Sequence, residues 1–493
     1  MPAPPQVPIK RLRKVLGKGR VLTRLEERVL YSYDATSFQQ IPDVVVMPRS
    51  EEEVVEAIQF ARKYGLSVTP RGAGTGMSGG AIASTGAMII SSEKMNRILR
   101  IDEEHRVALV EPGVLTGDLQ EKVLEKGLFY PPDPSSYLVS TLGGNVAEGA
   151  GGLRCAKYGV TKNYVIGLRV ATAEGTVIGT GTLDSEYHGH LADGQGLDTR
   201  AASHINHPVP DLTPLFVGSE GTLGYITQIM VRLIDPPETA RAMVAFFPTA
   251  SQAAQAVTAI LTKPLMPSVL EFLDRNTLKA ITTQVSLPIP EQAEAMLLVE
   301  VDGKADVAAG ELSSVIAVCD AHGGFAIEEA SDPRQRDHLW ELRRSVSPSL
   351  TTLATGKINE DVCVPRRELL HLVEWCQALS DETGLMIPVY GHAADGNLHV
   401  NVMYDADDRS RAKLAYKTVE RILQQALNLG GTLSGEHGIG RTKRPYLHLQ
   451  FSPEALELFR RIKHTWDPDG LFNPGVLYPS AEDSPQQNSA ESP

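Results

Sequence analysis

The amino-acid sequence predicts an α+β fold in two domains. Short β-type apolar runs alternate with amphipathic helical stretches, and glycine-dense segments gather in the first half. Asp235-Pro236-Pro237 then interrupts the chain before a second α+β pattern opens. At 493 residues the chain also exceeds what one hydrophobic core usually serves.

Residues 1–37 read as an N-terminal helical segment. Ser50-Glu51-Glu52-Glu53 has the capping-box pattern, and Val54, Ile58 and Ala61 follow at helical spacing, which predicts a helix over 51–64. A strand from Leu66 to Pro70 comes next, then a glycine-rich loop and β-type runs at Ala87–Ile90 and Val107–Val110. A helix is expected from Gly117 to Lys126, a hairpin around Glu174-Gly175, and a long strand from Gly224 to Leu233. Together 38–235 form one unit. The second domain, 236–478, opens with a strand near Met243–Phe247, a helix from Ser251, and strands near Val269 and over Leu297–Val301. Residues 479–493, rich in Ser, Pro, Gln and Glu, read as a disordered tail.

Composition removes several function classes. A formal charge of -13 without clustered Lys or Arg argues against nucleic-acid binding. No apolar run approaches the roughly 18 residues of a membrane span, and Met1-Pro-Ala-Pro-Pro lacks a secretory apolar core, so a cytoplasmic protein is expected. The four cysteines, Cys155, Cys319, Cys363 and Cys376, are too widely spaced for a zinc or iron–sulfur site.

Gly74, Gly76 and Gly79 satisfy G-x-G-x-x-G, the dinucleotide fingerprint, but the context differs. Ala81 to Gly86 has no helical periodicity and leads into a strand, so the loop joins strand to strand. Its glycines can still bring successive backbone N–H groups against a diphosphate. Three further glycine-dense loops follow: Pro131 to Ser136, Thr141 to Gly152, and Gly218 to Gly224. In order and spacing the set closely resembles the FAD-binding domain of the vanillyl-alcohol oxidase (PCMH) type. The resemblance implies that Arg71, Gly72, Ala73, Gly74, Thr75, Gly76, Ser78 and Gly79 wrap the pyrophosphate. It also assigns cofactor contacts to Pro134, Ser135, Thr141, Gly144, Asn145, Ala150, Gly151, Gly152, Tyr158, Gly159, Glu220, Gly221, Ile226 and Asn473. Thr75 stands where some relatives carry a tethering histidine, so FAD is expected to be noncovalent unless a histidine of the second domain bonds it.

In the second domain, His392-Ala393-Ala394-Asp395-Gly396-Asn397-Leu398-His399 sets two imidazoles on either side of a turn. His399 and Asn401 share a strand face, and a hairpin returns His392 beside them. Ser434-Gly435-Glu436-His437-Gly438 places an acid directly before a histidine. Adjacent residues do not share a side-chain face, so one can ligate a metal while the other takes a proton. These motifs resemble the flavoprotein 2-hydroxy acid dehydrogenases, the group that comprises the flavin chain of glycolate oxidase together with D-lactate and D-2-hydroxyglutarate dehydrogenases, over about Arg20 to Tyr478. The second domain is accordingly expected to be a ferredoxin-like α+β substrate domain.

That resemblance makes His392, His399 and Glu436 ligands of a divalent ion (zinc, manganese or iron) and His437 the base. Ala394 departs from the usual glycine. Trp340-Glu341-Leu342-Arg343 matches the family's W-x-x-R, whose arginine holds the substrate carboxylate, a task suited to a planar fork. Lys357 resembles a second cation near the substrate, and Asn401 joins Arg343, Lys357 and His437 as a substrate-binding candidate. The implied reaction oxidises glycolate, D-lactate or a larger D-2-hydroxy acid to the 2-keto acid, with hydride passing from Cα to flavin N5. A quinone, a cytochrome, an electron-transfer flavoprotein or an iron–sulfur partner subunit would take the electrons. Association with the inner face of a membrane and a homodimer are compatible with the sequence. Two rival readings are an FAD-binding scaffold subunit without catalysis, and an alkyl-glycerone-phosphate synthase, whose phosphate-lipid features find no match.

Overall fold

The computed structural model describes residues 8–183, 210–282 and 288–478; the expected tail, 479–493, lies outside the described residues. The chain forms two compact units. Among the described residues, the first comprises 8–152, 160–183, 210–236 and 437–478, and the second 153–159, 237–282 and 288–436.

The first unit has two sheets. Strands β1 (Val21–Leu22), β2 (Val44–Val46), β3 (Ser67–Arg71) and β4 (Ala87–Ser91) make one, in the order β1-β2-β4-β3. β4 runs parallel to both β2 and β3, while β1 is antiparallel to β2. Continuous apolar runs suit parallel strands covered on both faces, and Val44 to Val46 and Ala87 to Ile90 are all buried. The crossover from β2 to β3 is the Glu51–Tyr64 helix. Ser50 Oγ accepts the Glu53 N–H to start it, and Gly65 ends it in the left-handed region at φ 65°. Its buried Val54, Ala57, Ile58 and Ala61 meet Val46, Val68, Met88 and Ile90, and Leu12, Leu16 and Val21 of the N-terminal segment complete this core.

The second sheet is antiparallel, in the order β5-β6-β9-β7-β8, from β5 (Ile98–Asp102), β6 (Val107–Val110), β7 (Val165–Ala171), β8 (Val177–Gly181) and β9 (Tyr225–Arg232). The expected hairpin is present, turning at Gly175 with φ 78°. Glu51 links the layers, accepting from Arg169 Nε at 2.9 Å and Thr227 Oγ1 at 2.6 Å.

One expectation needs correction. The glycine-dense Thr141–Gly152 stretch is not a loop throughout: Leu142–Glu148 is a helix. Thr141 Oγ1 caps it by accepting the Gly144 N–H at 3.3 Å, and Gly149 closes it at φ 69°. Gly143 permits a close approach, since a Cβ there would come within 2.9 Å of Pro112 O. Residues 437–478 make their contacts within the first unit. Phe472 forms a parallel bridge to Val68, and Lys463 Nζ donates to Thr222 O at 2.6 Å.

Among the described residues of the second unit, strands β10 (Thr239–Phe247), β11 (Val269–Asp274), β12 (Ala295–Gly303), β13 (Phe325–Glu329), β14 (Gly356–Cys363), β15 (Val389–His392) and β16 (Asn397–Tyr404) form one antiparallel sheet, in the order β13-β10-β12-β11-β15-β16-β14. Directly paired residues of antiparallel strands share a face. The register pairs Glu271 with His392, Tyr390 with His399, Asn359 with Asn401 and Asp361 with His399. One face therefore gathers Glu271, Tyr390, His392, His399, Asn401, Asn359, Lys357 and Asp361. The Pro333–Leu353 helix packs on that face through Leu339, Leu342 and Val346, against Val244, Leu273 and Leu298.

Candidate functional site

The β15–β16 hairpin brings His392 and His399 together as expected, with ring centroids 5.3 Å apart and planes at 89°. Glu436 joins them: its Oε1 lies 3.3 Å from His392 Nε2 and 3.5 Å from His399 Nε2. Two imidazole nitrogens and a carboxylate oxygen converge within 4.8 Å of one another. Bonds of about 2.0–2.1 Å to a tetrahedral ion put ligand atoms roughly 3.3–3.4 Å apart, so this donor set fits a divalent metal. His392 and His399 are buried and Glu436 is half-buried.

Two acids that sequence reasoning missed hold the cluster in place. Glu271, fully buried on β11, accepts from His392 Nδ1 through one oxygen and from Arg343 Nε through the other. Burial pushes this carboxyl up, but the charges of His392 and Arg343 outweigh it and hold it at about 2. On His392, burial disfavours the charged ring, and Glu271 and Glu436 reverse that and raise its pKa well above the usual value. Asp361, also fully buried, accepts from Ser434 Oγ at 3.2 Å and from the backbone N–H groups of Gly435 at 2.8 Å and Glu436 at 2.6 Å. The sequence signal for Glu271 was a carboxylate within an apolar strand, whereas Asp361 stands in the polar run Lys357-Ile358-Asn359-Glu360-Asp361 and carries no such signal.

Arg343 is buried on the Pro333–Leu353 helix, not exposed on its charged surface, with its guanidinium 4.8 Å from the Tyr390 ring centroid. Its Nη1 and Nη2 donate to no protein acceptor among the described residues, which leaves a fork for a ligand. Asn401 is fully buried on the same sheet face. Lys357 is partly buried, which lowers its pKa, and its Nζ lies 3.4 Å from Ser347 Oγ. His437 follows Glu436 directly and is half-buried in the first unit.

In the first unit, residues 72–86 link β3 to β4 without a helix. Gly74 and Gly79 take φ of 72° and 81°. Among the described residues, no backbone N–H from Gly72 to Met77, Ala73 and Thr75 included, donates to a protein acceptor. Such a row of donors fits a diphosphate. The loop lies close on the Leu142–Glu148 helix: a Cβ at Gly72 would meet Thr141 Oγ1 at 2.3 Å, and one at Gly76 would meet Glu148 Oε1 at 3.0 Å. Gly152 lies against Asp133, which brings the Pro134-Ser135 loop and Ala150–Gly152 together.

Other candidates sit within the scaffold. Arg71 turns its guanidinium to Tyr33 O at 2.8 Å and Ala81 O at 3.0 Å, clasping the loop ends. Ser78 Oγ donates to Glu148 Oε1 at 3.1 Å, and Asn145 Nδ2 to Thr116 Oγ1 at 2.7 Å. Glu220 accepts the N–H groups of Ile439 and Gly440, each at 2.9 Å. Asn473 Nδ2 donates to Gly80 O and Glu220 O at 2.7 and 2.8 Å. Gly221 approaches Pro70 of β3, and Ile226 is buried on β9. Tyr158 and Gly159 fall in the second unit, where the Tyr158 hydroxyl donates to Asp302 Oδ2 at 2.8 Å.

Comparison with known proteins defines the class. Residues 42–181 match the FAD binding domain family, and 236–477 match the family of FAD linked oxidases, C-terminal domain. The solved structure of p-cresol methylhydroxylase superposes with a TM-score of 0.75 over 95% of both chains at 17% identity, which establishes the PCMH-type fold. Glycolate oxidase subunit GlcD of Bacillus subtilis (strain 168) is 38% identical over 453 residues, 92% of each chain. A mitochondrial D-lactate dehydrogenase [cytochrome] of Arabidopsis thaliana is 32% identical over 96% of this chain and 81% of its own. A D-2-hydroxyglutarate dehydrogenase of Stutzerimonas stutzeri (strain A1501) is 30% identical over 95% and 98%. The chain belongs to the FAD-linked oxidases, in the group of glycolate oxidase, D-lactate and D-2-hydroxyglutarate dehydrogenases. It is an FAD-dependent hydroxy acid dehydrogenase. Among the described residues, no helix is long and apolar enough to cross a membrane.

Proposed function

We propose that the chain oxidises a small 2-hydroxy acid, glycolate or D-lactate, to the 2-keto acid, with noncovalent FAD and a divalent ion held by His392, His399 and Glu436. The observation that carries this reading is the convergence, on one face of a buried sheet, of a metal-type donor set with an arginine fork. In this reading 38–235 is the FAD-binding domain and 236–478 the substrate and metal domain.

When bound, FAD supplies a two-electron acceptor and the ion supplies Lewis-acid polarisation of a hydroxyl oxygen. Arg343 receives the substrate carboxylate on Nη1 and Nη2, while Glu271 fixes the guanidinium through Nε. Asn401 offers a polar contact beside His399. His437 takes the substrate hydroxyl proton. The 72–79 loop, with Thr141, Gly144, Asn145 and Ala150–Gly152, holds the cofactor by close backbone approach.

A second reading, a larger D-2-hydroxy acid such as D-2-hydroxyglutarate, is favoured by Lys357, a second cation on the same sheet face as Asn359 and Asn401. Stopped-flow flavin reduction across a panel of D- and L-2-hydroxy acids, with and without a chelator, tests both. Failure of every 2-hydroxy acid to bleach the flavin would sink them together. The electron acceptor in this proposal is a quinone, a cytochrome, an electron-transfer flavoprotein or an iron–sulfur partner subunit. The name GlcD subunit, borne by a relative, supports a partner chain. Cytoplasmic residence, peripheral at the inner face of the membrane, and a homodimer complete the proposal.

A further inference from the structure

The geometry points to Glu271 as a positioning residue that ties the metal ligand His392 to the substrate clamp Arg343, so that ion binding and carboxylate binding depend on one buried anion. The inference rests on the roles proposed for His392 and Arg343. Glu271 lies directly across from His392 in the β11–β15 pair and is fully buried. Its two oxygens are divided, Oε1 to His392 Nδ1 and Oε2 to Arg343 Nε. With Nδ1 engaged, the imidazole presents Nε2 to the side of Glu436, which fixes both ring orientation and tautomer for ligation. With Nε engaged, the Arg343 guanidinium is held 4.8 Å from the Tyr390 ring centroid, and its two Nη groups have no protein acceptor among the described residues. A single side-chain conformation therefore sets both groups, and a shift toward one partner is a shift away from the other.

Anchoring the helix does not account for a carboxylate here. The Pro333–Leu353 helix is already pinned one turn earlier, where Trp340 Nε1 donates to Glu300 Oε2 at 3.1 Å, and Leu339, Leu342 and Val346 bury its apolar side. Val269, Leu270, Phe272 and Leu273 flank Glu271 as an apolar strand. If packing were the whole role, an apolar residue would serve at lower desolvation cost.

The test compares the FAD-loaded full chain with its Glu271→Gln, Glu271→Asp and Glu300→Gln variants. Zinc affinity is read by competition with a chromophoric chelator. Binding of propionate, which has the carboxylate but no hydroxyl, is read by saturation-transfer NMR. In Glu271→Gln an amide N–H must face one of two donors, and zinc affinity is expected to fall about 10–100-fold, with propionate affinity falling about tenfold alongside it. Glu300→Gln is expected to leave both within about twofold. Loss of only one affinity in Glu271→Gln, or equal losses in Glu300→Gln, overturns the shared-anion role. Should Glu271→Gln not fold, Glu271→Asp decides: the shortened acid is expected to lower both affinities about tenfold, and loss of only one, or retention of both, overturns the proposal. A wild-type chain that binds no zinc refutes the metal reading and this inference together, whereas wild-type binding matched by Glu271→Gln refutes this inference alone.

Discussion

Asp361 accepts the backbone N–H of Glu436 at 2.6 Å, so the Glu436 carboxylate is placed by a strand residue 75 positions earlier in the chain. The same carboxylate takes Gly435 N–H and Ser434 Oγ–H, and it is fully buried. Asp361→Ala removes three acceptor contacts and is expected to cost about 2–4 kcal/mol, measurable by urea unfolding. Zinc affinity should fall at least tenfold in the milder Asp361→Asn. Unchanged affinity there would show that the 434–436 loop holds its shape without the anion.

Removing the proposed base and altering the proposed clamp should separate kinetically. His437→Ala is expected to slow flavin reduction by D-lactate about 10²–10⁴-fold in stopped-flow while leaving FAD content unchanged. Arg343→Lys keeps the charge but loses the planar fork, so KM is expected to rise about tenfold or more with a smaller change in kcat. Wild-type reduction rates in His437→Ala would remove that residue from the mechanism.

Gly143→Ala sets two effects against each other. In an ordinary helix the change would stabilise by about 1 kcal/mol. Here the new Cβ would lie 2.6 Å from Pro112 Cβ and 2.9 Å from Pro112 O, contacts that force the helix off its seat. The steric effect should win, with a net loss of about 1–3 kcal/mol and lower FAD content on purification. Gly19→Ala, with nothing within 4 Å of its Cβ, is the matching control and should be neutral.

Asp274 caps the Arg275–Ile281 helix and is fully buried, and burial pushes its carboxyl up to about 6. A carboxyl with its pKa raised on folding holds its proton more tightly when folded than when unfolded. Its favourable contribution is therefore complete below about pH 4 and is lost as pH rises through about 6. Relative to Asp274→Asn, which keeps a capping oxygen, the wild type is expected to lose up to ~3 kcal/mol between pH 4 and pH 7. Parallel denaturant titrations of the two proteins across that range check this, and a flat difference would contradict it.

How much of this was legible in the sequence follows from where each partner lies along the chain. The glycine loop, the Ser50-capped helix and the His392–His399 hairpin are local features whose residue order states their geometry. Glu271 was not legible because its meaning depends on His392, 121 residues away, and on Arg343, 72 residues away. Asp361 stands in a segment read only for Lys357, and its use became visible once β14 was aligned with β16. The Leu142–Glu148 helix was hidden by Gly143 and Gly144, which lower helix propensity, while Thr141 and Gly149 supply capping that offsets the loss. The contacts of residues 437–478 with the first unit, the Val68–Phe472 bridge and the Lys463–Thr222 and Asn473–Gly80 hydrogen bonds among them, join positions hundreds of residues apart and so carried no local signal.

The alternation of β16 gives its alignment the force of a reading frame. His399 and Asn401 face the site while Leu398, Val400 and Val402 face the other way, all of them buried. An insertion of one residue between Ala393 and Gly396 would not blunt the site gradually. It would either be absorbed by the turn or slip the strand by one, exchanging imidazole and amide for aliphatic chains in a single event. Variation in this chain can therefore tolerate a change of side chain in that turn, as at Ala394, far more readily than a change in its length.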